Sequence, residues 1–227
     1  MAKACLDLRA IEASLRAVQG DFERINDTLS TPRDPLGDEV VTNMLAGYEY
    51  VAYLLEAGID PLARGNSRHL LQLNHLVLCG AGNGTRDVLL PHLRQTEEHF
   101  YDDRSPGGIR ALMGFLAEHK GESVWERAAD VYIRIVSEPQ LFLEGNHRTG
   151  ALVMSHILCE AGKPPFVLTV ANARAYLDPS AAIKGQRKRT VRALLERPRL
   201  RRRLAAVLRD IADGPPTASS CSAAARP

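Results

Sequence analysis

Gln140-Leu141-Phe142-Leu143-Glu144-Gly145-Asn146-His147-Arg148-Thr149-Gly150 reads as an acidic, Gly-Asn loop that opens directly into a helix. Beyond it Leu152, Val153, His156, Ile157 and Leu158 recur at near-helical spacing as far as Glu160, and Gly162 followed by Pro164-Pro165 stops the run. The spacing predicts a helix beginning near Asn146. The first N–H groups of a helix have no partner within it and lie at the positive end of its dipole. Here they would face Glu144-Gly145-Asn146, an arrangement suited to phosphoryl oxygens. A capped helix with a glutamate beside it is the plainer reading of the same residues.

Working outward, helical periodicity dominates and predicts an all-α fold. Leu8, Ile11, Leu15, Val18, Phe22, Ile25 and Leu29 alternate steps of three and four. Such a seam docks one long helix onto its own domain, the favoured reading, or forms a homodimer through this N-terminal helix. Asp34 to Asp38 is a turn or linker, with Asp38 as cap of a helix to about Gly58 that turns Val41, Met44, Tyr48 and Leu55 inward. Further helices are expected from near Ser67, from Thr85 or Asp87 with a break or bend at Pro91, and from Ile109 to about Lys120. Ser123 and Glu126 form a capping box for a helix burying Trp125, Val131, Tyr132 and Ile135, which delivers the chain to the Gln140 loop.

At 227 residues, 45% hydrophobic and 25% charged, the chain can bury one sizeable core. No apolar run approaches the ~20 residues of a membrane span, and charge in the first residues breaks any signal-peptide core. A cytoplasmic protein without membrane contact is expected. Cys5, Cys79, Cys159 and Cys221 are isolated from one another, which predicts reduced thiols and neither zinc site nor disulfide framework. Between Arg187 and Arg203 lie nine basic residues and one acid, Glu196, against a whole-chain charge of +2, so charge is strongly segregated. Leu194, Leu195, Leu200, Leu204, Val207 and Leu208 mark amphipathic helices there, whose basic faces are read first as solvated. Binding of nucleic acid or an acidic partner is the second reading. From Gly214 the tail is expected to be disordered.

The Gln140 stretch resembles the signature of the Fic/Doc (Fido) family, His-x-Phe-x-(Asp/Glu)-Gly-Asn-Gly-Arg-x-x-Arg, which Phe142, Glu144, Gly145, Asn146 and Arg148 match. The resemblance implies that Phe142 anchors the loop in the core and that Glu144 holds Mg²⁺ on the phosphates of ATP or a related nucleotide. It also implies an anion hole at Gly145, Asn146 and the amide of His147, and a phosphate pairing with Arg148. These roles agree with general chemistry: Mg²⁺ takes one or two carboxylates plus phosphate oxygens, and a guanidinium fork suits phosphate. Pro164 to Leu168 leading into Asn172-x-x-x-Tyr176 is similar to the family's segment after its active loop, although Asn172 as cap and Tyr176 as packing residue explain the same spacing. Tyr101 to Gly108 stands near the family's target-docking β-hairpin flap, while Ser105-Pro106-Gly107-Gly108 equally makes a plain loop.

The chain departs from the signature in two places. The family's catalytic His, which accepts the proton of the target hydroxyl, is Gln140 here. An amide cannot take that proton, a role worth typically ~10²–10⁴-fold. His147, in place of the second signature Gly, is the candidate substitute. The last signature Arg is Ala151, as Doc-type phosphotransferases also lack it. Thr42-Asn43-Met44-Leu45-Ala46-Gly47 has the shape of the family's inhibitory helix with Ala46 where its Glu stands, so both members of an expected ion pair are missing together.

The resemblance therefore implies an Mg²⁺-dependent transfer of a nucleotide moiety, AMP from ATP, to a hydroxyl of an unidentified protein target, with Gln140 and His147 as the altered catalytic positions. A catalytically impaired nucleotide- or phospho-ligand-binding regulator, or a Doc-like phosphotransferase, is the alternative. The expected organisation is an N-terminal amphipathic helix (1–33), a Fic-like helical core (34–186), basic C-terminal helices (187–213) and a disordered tail (214–227).

Overall fold

The computed structural model describes residues 6–119, 123–185, 187–188 and 191–213, and these form an all-α fold. The helices are α1 (Leu8–Gly20), α2 (Phe22–Asp27), α3 (Asp38–Ala57), α4 (Arg68–Cys79), α5 (Asn83–Phe100), α6 (Ile109–Glu118), α7 (Val124–Val136), α8 (Asn146–Glu160), α9 (Ala173–Lys184) and α10 (Val191–Asp213). Among the described residues the only β pairing is an isolated parallel bridge between Glu138 and Arg187. The hairpin flap is therefore absent. Residues 101–108 run as turns closed by Ser105 N–H on the Asp102 carbonyl (3.1 Å) and Gly108 N–H on the Ser105 carbonyl (3.2 Å). A Cβ on Gly107 would come within 2.6 Å of the Pro139 carbonyl oxygen and 2.8 Å of that of Gln140, so this loop lies flat against the chain entering the Gln140 stretch.

The helix that begins at Asn146 is the axis of the molecule. It is buried along nearly its whole length and packs against α3, α4 and α7. Two glycines let backbones approach: a Cβ on Gly47 of α3 would meet Leu152 at 2.3 Å, and one on Gly150 would meet the Tyr132 ring of α7 at 2.7 Å. The N-terminal seam is buried within its own chain, but not as one helix. The chain breaks at Asp21 (φ −105°, ψ 10°); Ile11 and Leu15 join the main core, while Val18 at the end of α1 and Phe22 and Ile25 of α2 form a second cluster with Ala173 of α9. Leu29 falls beyond α2 and is half-buried.

Asp38 sits one residue inside the helix it was expected to cap. Gly37 takes the cap position, and the Asp38 carboxylate instead accepts from Arg16 Nη1 (2.6 Å) and Gln19 Nε2 (3.0 Å) on α1. Gly58, at φ 67°, closes α3 in the left-handed conformation that favours glycine. α5 carries Pro91 in its interior. The Ser123 hydroxyl accepts from Glu126 N–H (3.3 Å) at the start of α7, the forward half of the capping box, and Oγ lies 3.1 Å from the Glu126 carboxylate; Val131, Tyr132 and Ile135 are fully buried. Trp125 is only half-buried. In α10, Leu204 and Leu208 are core residues, but Leu195 is 71% exposed. Part of the arginine block turns inward: Arg197 Nη2 and Arg201 Nη1 each lie 3.2 Å from the carboxylate of buried Asp130 on α7, whereas Arg199, Arg202 and Arg203 are exposed.

Cys79 and Cys159 are buried free thiols, and burial pushes the Cys159 thiol up to about 12. No helix among the described residues is long and apolar enough to cross a membrane. Cys5, Lys120, the side chain of Leu194 and the segment from Gly214, including Cys221, lie outside the described residues.

Candidate functional site

The loop from Gln140 to Gly145 is fixed by two buried asparagines. Asn146, the first residue of α8, reaches back: its Oδ1 accepts from Phe142 N–H (2.9 Å) and its Nδ2 donates to the Phe142 carbonyl (2.8 Å) and to Gln140 Oε1 (3.2 Å). Asn74 on α4, fully buried, donates through Nδ2 to the Glu144 carbonyl (2.8 Å) and to Thr149 Oγ1 (3.1 Å). Phe142 is buried and stacks on Phe100 with ring centroids 5.3 Å apart. Gly145 precedes α8 at φ 74°, and a Cβ there would lie 2.9 Å from Asn74 Nδ2, so both backbone conformation and space require glycine. The first hydrogen bond of α8 runs from Thr149 N–H to the Gly145 carbonyl (2.9 Å), so the N–H groups of residues 146–148 stand ahead of it at the helix start.

Glu144 projects from the lip of this loop with its side chain 65% exposed. His92, from the turn of α5 after Pro91, brings Nε2 to 3.7 Å from a Glu144 carboxylate oxygen. His99, two turns further along α5, shares a hydrogen bond of 3.0 Å between Nε2 and the Gln140 carbonyl. The Gln140 carboxamide donates to the Val136 carbonyl (2.9 Å) and accepts from Asn146, so both of its ends hold the loop.

His147 faces away from Glu144's lip toward the interior, while Arg148 lies between that lip and the end of α4. His147 Nδ1 shares a 2.8 Å hydrogen bond with the Tyr132 hydroxyl, and its Nε2 is buried without a hydrogen-bond partner. Burial, with Arg33 and Lys184 nearby, lowers its pKa to about 4. At neutral pH it is an uncharged ring with little tendency to take a proton. Arg148 Nη1 donates to the Val77 carbonyl at the end of α4. Burial pulls its pKa down, and Glu144 and Glu39 pull it back up, which places this cation between α4, the loop and the start of α3.

His147, Arg148 and Ala151 form one wall of a cavity of about 380 Å³. The other walls come from Leu15 and Phe22, the 33–36 linker, Met44 and Tyr48 of α3, Phe166, and Tyr176 and Ser180 of α9. Thus α3, which carries the Thr42–Gly47 segment, packs on α8 beside Ala151, and Met44 and Ala151 share this space. Asn172 holds the N-cap position of α9, but its side chain turns back to the preceding segment of chain, donating to the Val167 carbonyl (2.9 Å) and accepting from Thr169 N–H (2.9 Å), and Tyr176 is buried with its hydroxyl on the His147 carbonyl (3.4 Å).

The structure therefore brings Gln140, Glu144, Gly145, Asn146, His147 and Arg148 around one helix start but divides them between two sides. Glu144 lies with His92 and His99 on the α5 side, and His147 lies with Arg33 and Tyr132 on the other. Asn74, His92 and His99 carry no sequence signal, because they reach the loop from helices distant in the chain. A second cluster, Asp60, His156 and Glu160, brings its ligand atoms within 4.8 Å of one another near the far end of α8. Its members are already engaged: Asp60 Oδ1 accepts from Leu62 N–H (2.8 Å), and His156 Nε2 bonds the Ile59 carbonyl (3.1 Å). What the fold and site define is an all-α protein with a hydrogen-bonded Gly-Asn loop at the start of its central helix. Comparison with protein-family models and with curated proteins finds no match, so the functional reading rests on the chain's own residues.

Proposed function

We propose that the chain is a Fic-like protein whose 140–148 loop binds an Mg²⁺-nucleotide and transfers a nucleotide moiety, AMP from ATP, to a hydroxyl of a protein target. The observation that carries this reading is the α8 start itself. A glycine that admits no Cβ, three helix-start N–H groups and an exposed carboxylate at the lip are held in one conformation by Asn74 and Asn146. These residues fit the group they would hold: the N–H groups of residues 146–148 suit phosphate oxygens, and Glu144 is the carboxylate an Mg²⁺ ion would take. Mg²⁺, when bound, would neutralise charge on the phosphates. Preorganised dipoles of this kind are the main source of catalysis in phosphoryl chemistry.

Proton acceptance is the step for which Gln140 is unsuited and His147 is poorly suited, since the first is an amide tied at both ends and the second is buried with a pKa of about 4. This reading gives that proton to His92, whose imidazole meets Glu144 at the lip, its buried Nε2 3.7 Å from the carboxylate. The bonded Gln140 carboxamide favours a second reading, a nucleotide-binding regulator without transfer.

Incubation of the protein with a lysate, Mg²⁺ and ATP labelled at the α-phosphate tests the proposal. Covalent label on a lysate protein is expected, abolished by Glu144→Ala and reduced at least about hundredfold by His92→Ala. Label delivered only from the γ-phosphate would make the enzyme a Doc-like phosphotransferase. Nucleotide binding without label would leave the regulator, and failure of both would end the Fic-like reading.

A further inference from the structure

The cavity behind α8 is lined mainly by apolar side chains, yet two arginines stand in its wall. Arg33, from the linker before α3, donates through Nη2 to the Leu177 carbonyl (3.2 Å) and Ser180 Oγ (3.0 Å), which fixes the guanidinium against α9. Its Nε is buried and has no hydrogen-bond partner. Arg148 lies across the same space. Phe22, Met44, Phe166 and Leu168 line the body of the cavity, and its volume falls within the ~300–1,000 Å³ typical of ligand pockets, which are mostly apolar with few orienting polar groups. Asp34 stands exposed in the lining, where its negative charge disfavours a polyanion.

We propose that this cavity binds a small organic monoanion, a carboxylate on a compact aromatic or branched aliphatic body. The carboxylate meets the Arg33 guanidinium where it lines the cavity, and the apolar body fills the space between Phe22, Met44 and Phe166. Ala151 is what leaves that space open, because a long side chain at this position of α8 would occupy it. The site lies on the His147 side of the helix start, apart from Glu144 and His92, and it stands whether or not the loop binds a nucleotide.

Calorimetric titration with phenylacetate, in the absence of nucleotide, tests the site, with phenylacetamide and inorganic phosphate as controls. Phenylacetate is expected to bind saturably, and phenylacetamide at least about tenfold more weakly, since a charge-assisted pair with arginine is lost. Arg33→Gln should weaken phenylacetate by a similar factor. Because Arg33 also holds α9, Ala151→Phe serves as a second variant: it fills the cavity and should abolish binding while far-UV circular dichroism stays unchanged. The proposal is overturned if no probe binds saturably, if the amide binds as well as the acid, or if inorganic phosphate displaces phenylacetate at equal concentration. It is equally overturned if adenosine displaces phenylacetate, or if a folded Ala151→Phe protein binds it undiminished.

Discussion

Burial holds His147 as a neutral ring. Its folded-state pKa of about 4 lies below its ordinary value of 6.5, so the unfolded chain binds the proton more readily than the native protein does. Stability from this residue is therefore complete above about pH 6.5 and is lost as pH falls toward 4, with a loss of up to about 3 kcal/mol. Urea unfolding of the wild type and of His147→Gln across that window should show the difference: the variant loses part of the acid-side slope. Identical slopes would contradict burial of the neutral ring. At single positions the chain's chemistry was partly legible. Phe142 as anchor was implied by the resemblance and is buried as expected, whereas the exposure of the Glu144 carboxylate was not legible. Asn146 could be expected at the helix start, but not that its side chain would brace Phe142 and Gln140, because that depends on how tightly the loop folds back.

Helices that meet across long sequence distances explain most of what periodicity missed. The heptad-like seam specifies an apolar face but not the break at Asp21, after which Phe22 and Ile25 join Val18, from the last turn of α1, in a second cluster. In α10 the same ambiguity affects charge. A run rich in arginine reads as a solvated face, yet Arg197 and Arg201 close on Asp130, a residue on α7 whose side chain is 4% exposed. Asp130→Ala would remove the buried carboxylate that the two cations share, although Arg201 keeps Glu126 at 3.8 Å. Removing one partner of a buried pair costs ~3–5 kcal/mol, and because both arginines keep some exposure the loss here should be about 2–3 kcal/mol. Chemical denaturation measures this directly, and a change below about 0.5 kcal/mol would show that α10 docks through Leu204 and Leu208 alone. Asn74 gives a second test. Asn74→Ala removes the hydrogen bonds to Glu144 and Thr149, so faster amide hydrogen exchange is expected around residues 143–149, with nucleotide binding weakened in proportion.

Across the molecule, the all-α architecture was readable because nearly every long segment repeats apolar residues at helical spacing and ends at glycine or proline. The site was readable only along the chain. Residues 140–148 announce themselves as a contiguous motif, whereas His92, His99, Asn74 and the cavity are products of α4, α5, α3 and α9 converging on α8. The fold thus supplies two faces at one helix start, an open one with Glu144 and an enclosed one with His147. The open face carries the proposed function. Calorimetric titration with ATP and Mg²⁺, of wild type beside Glu144→Ala and Arg148→Ala proteins shown to be folded, examines it most directly. Mg²⁺-dependent binding to the wild type, weakened about tenfold or more in each variant, is the expected result. Wild-type binding that is indifferent to Mg²⁺ and unchanged in both variants, or no binding at all, would contradict it.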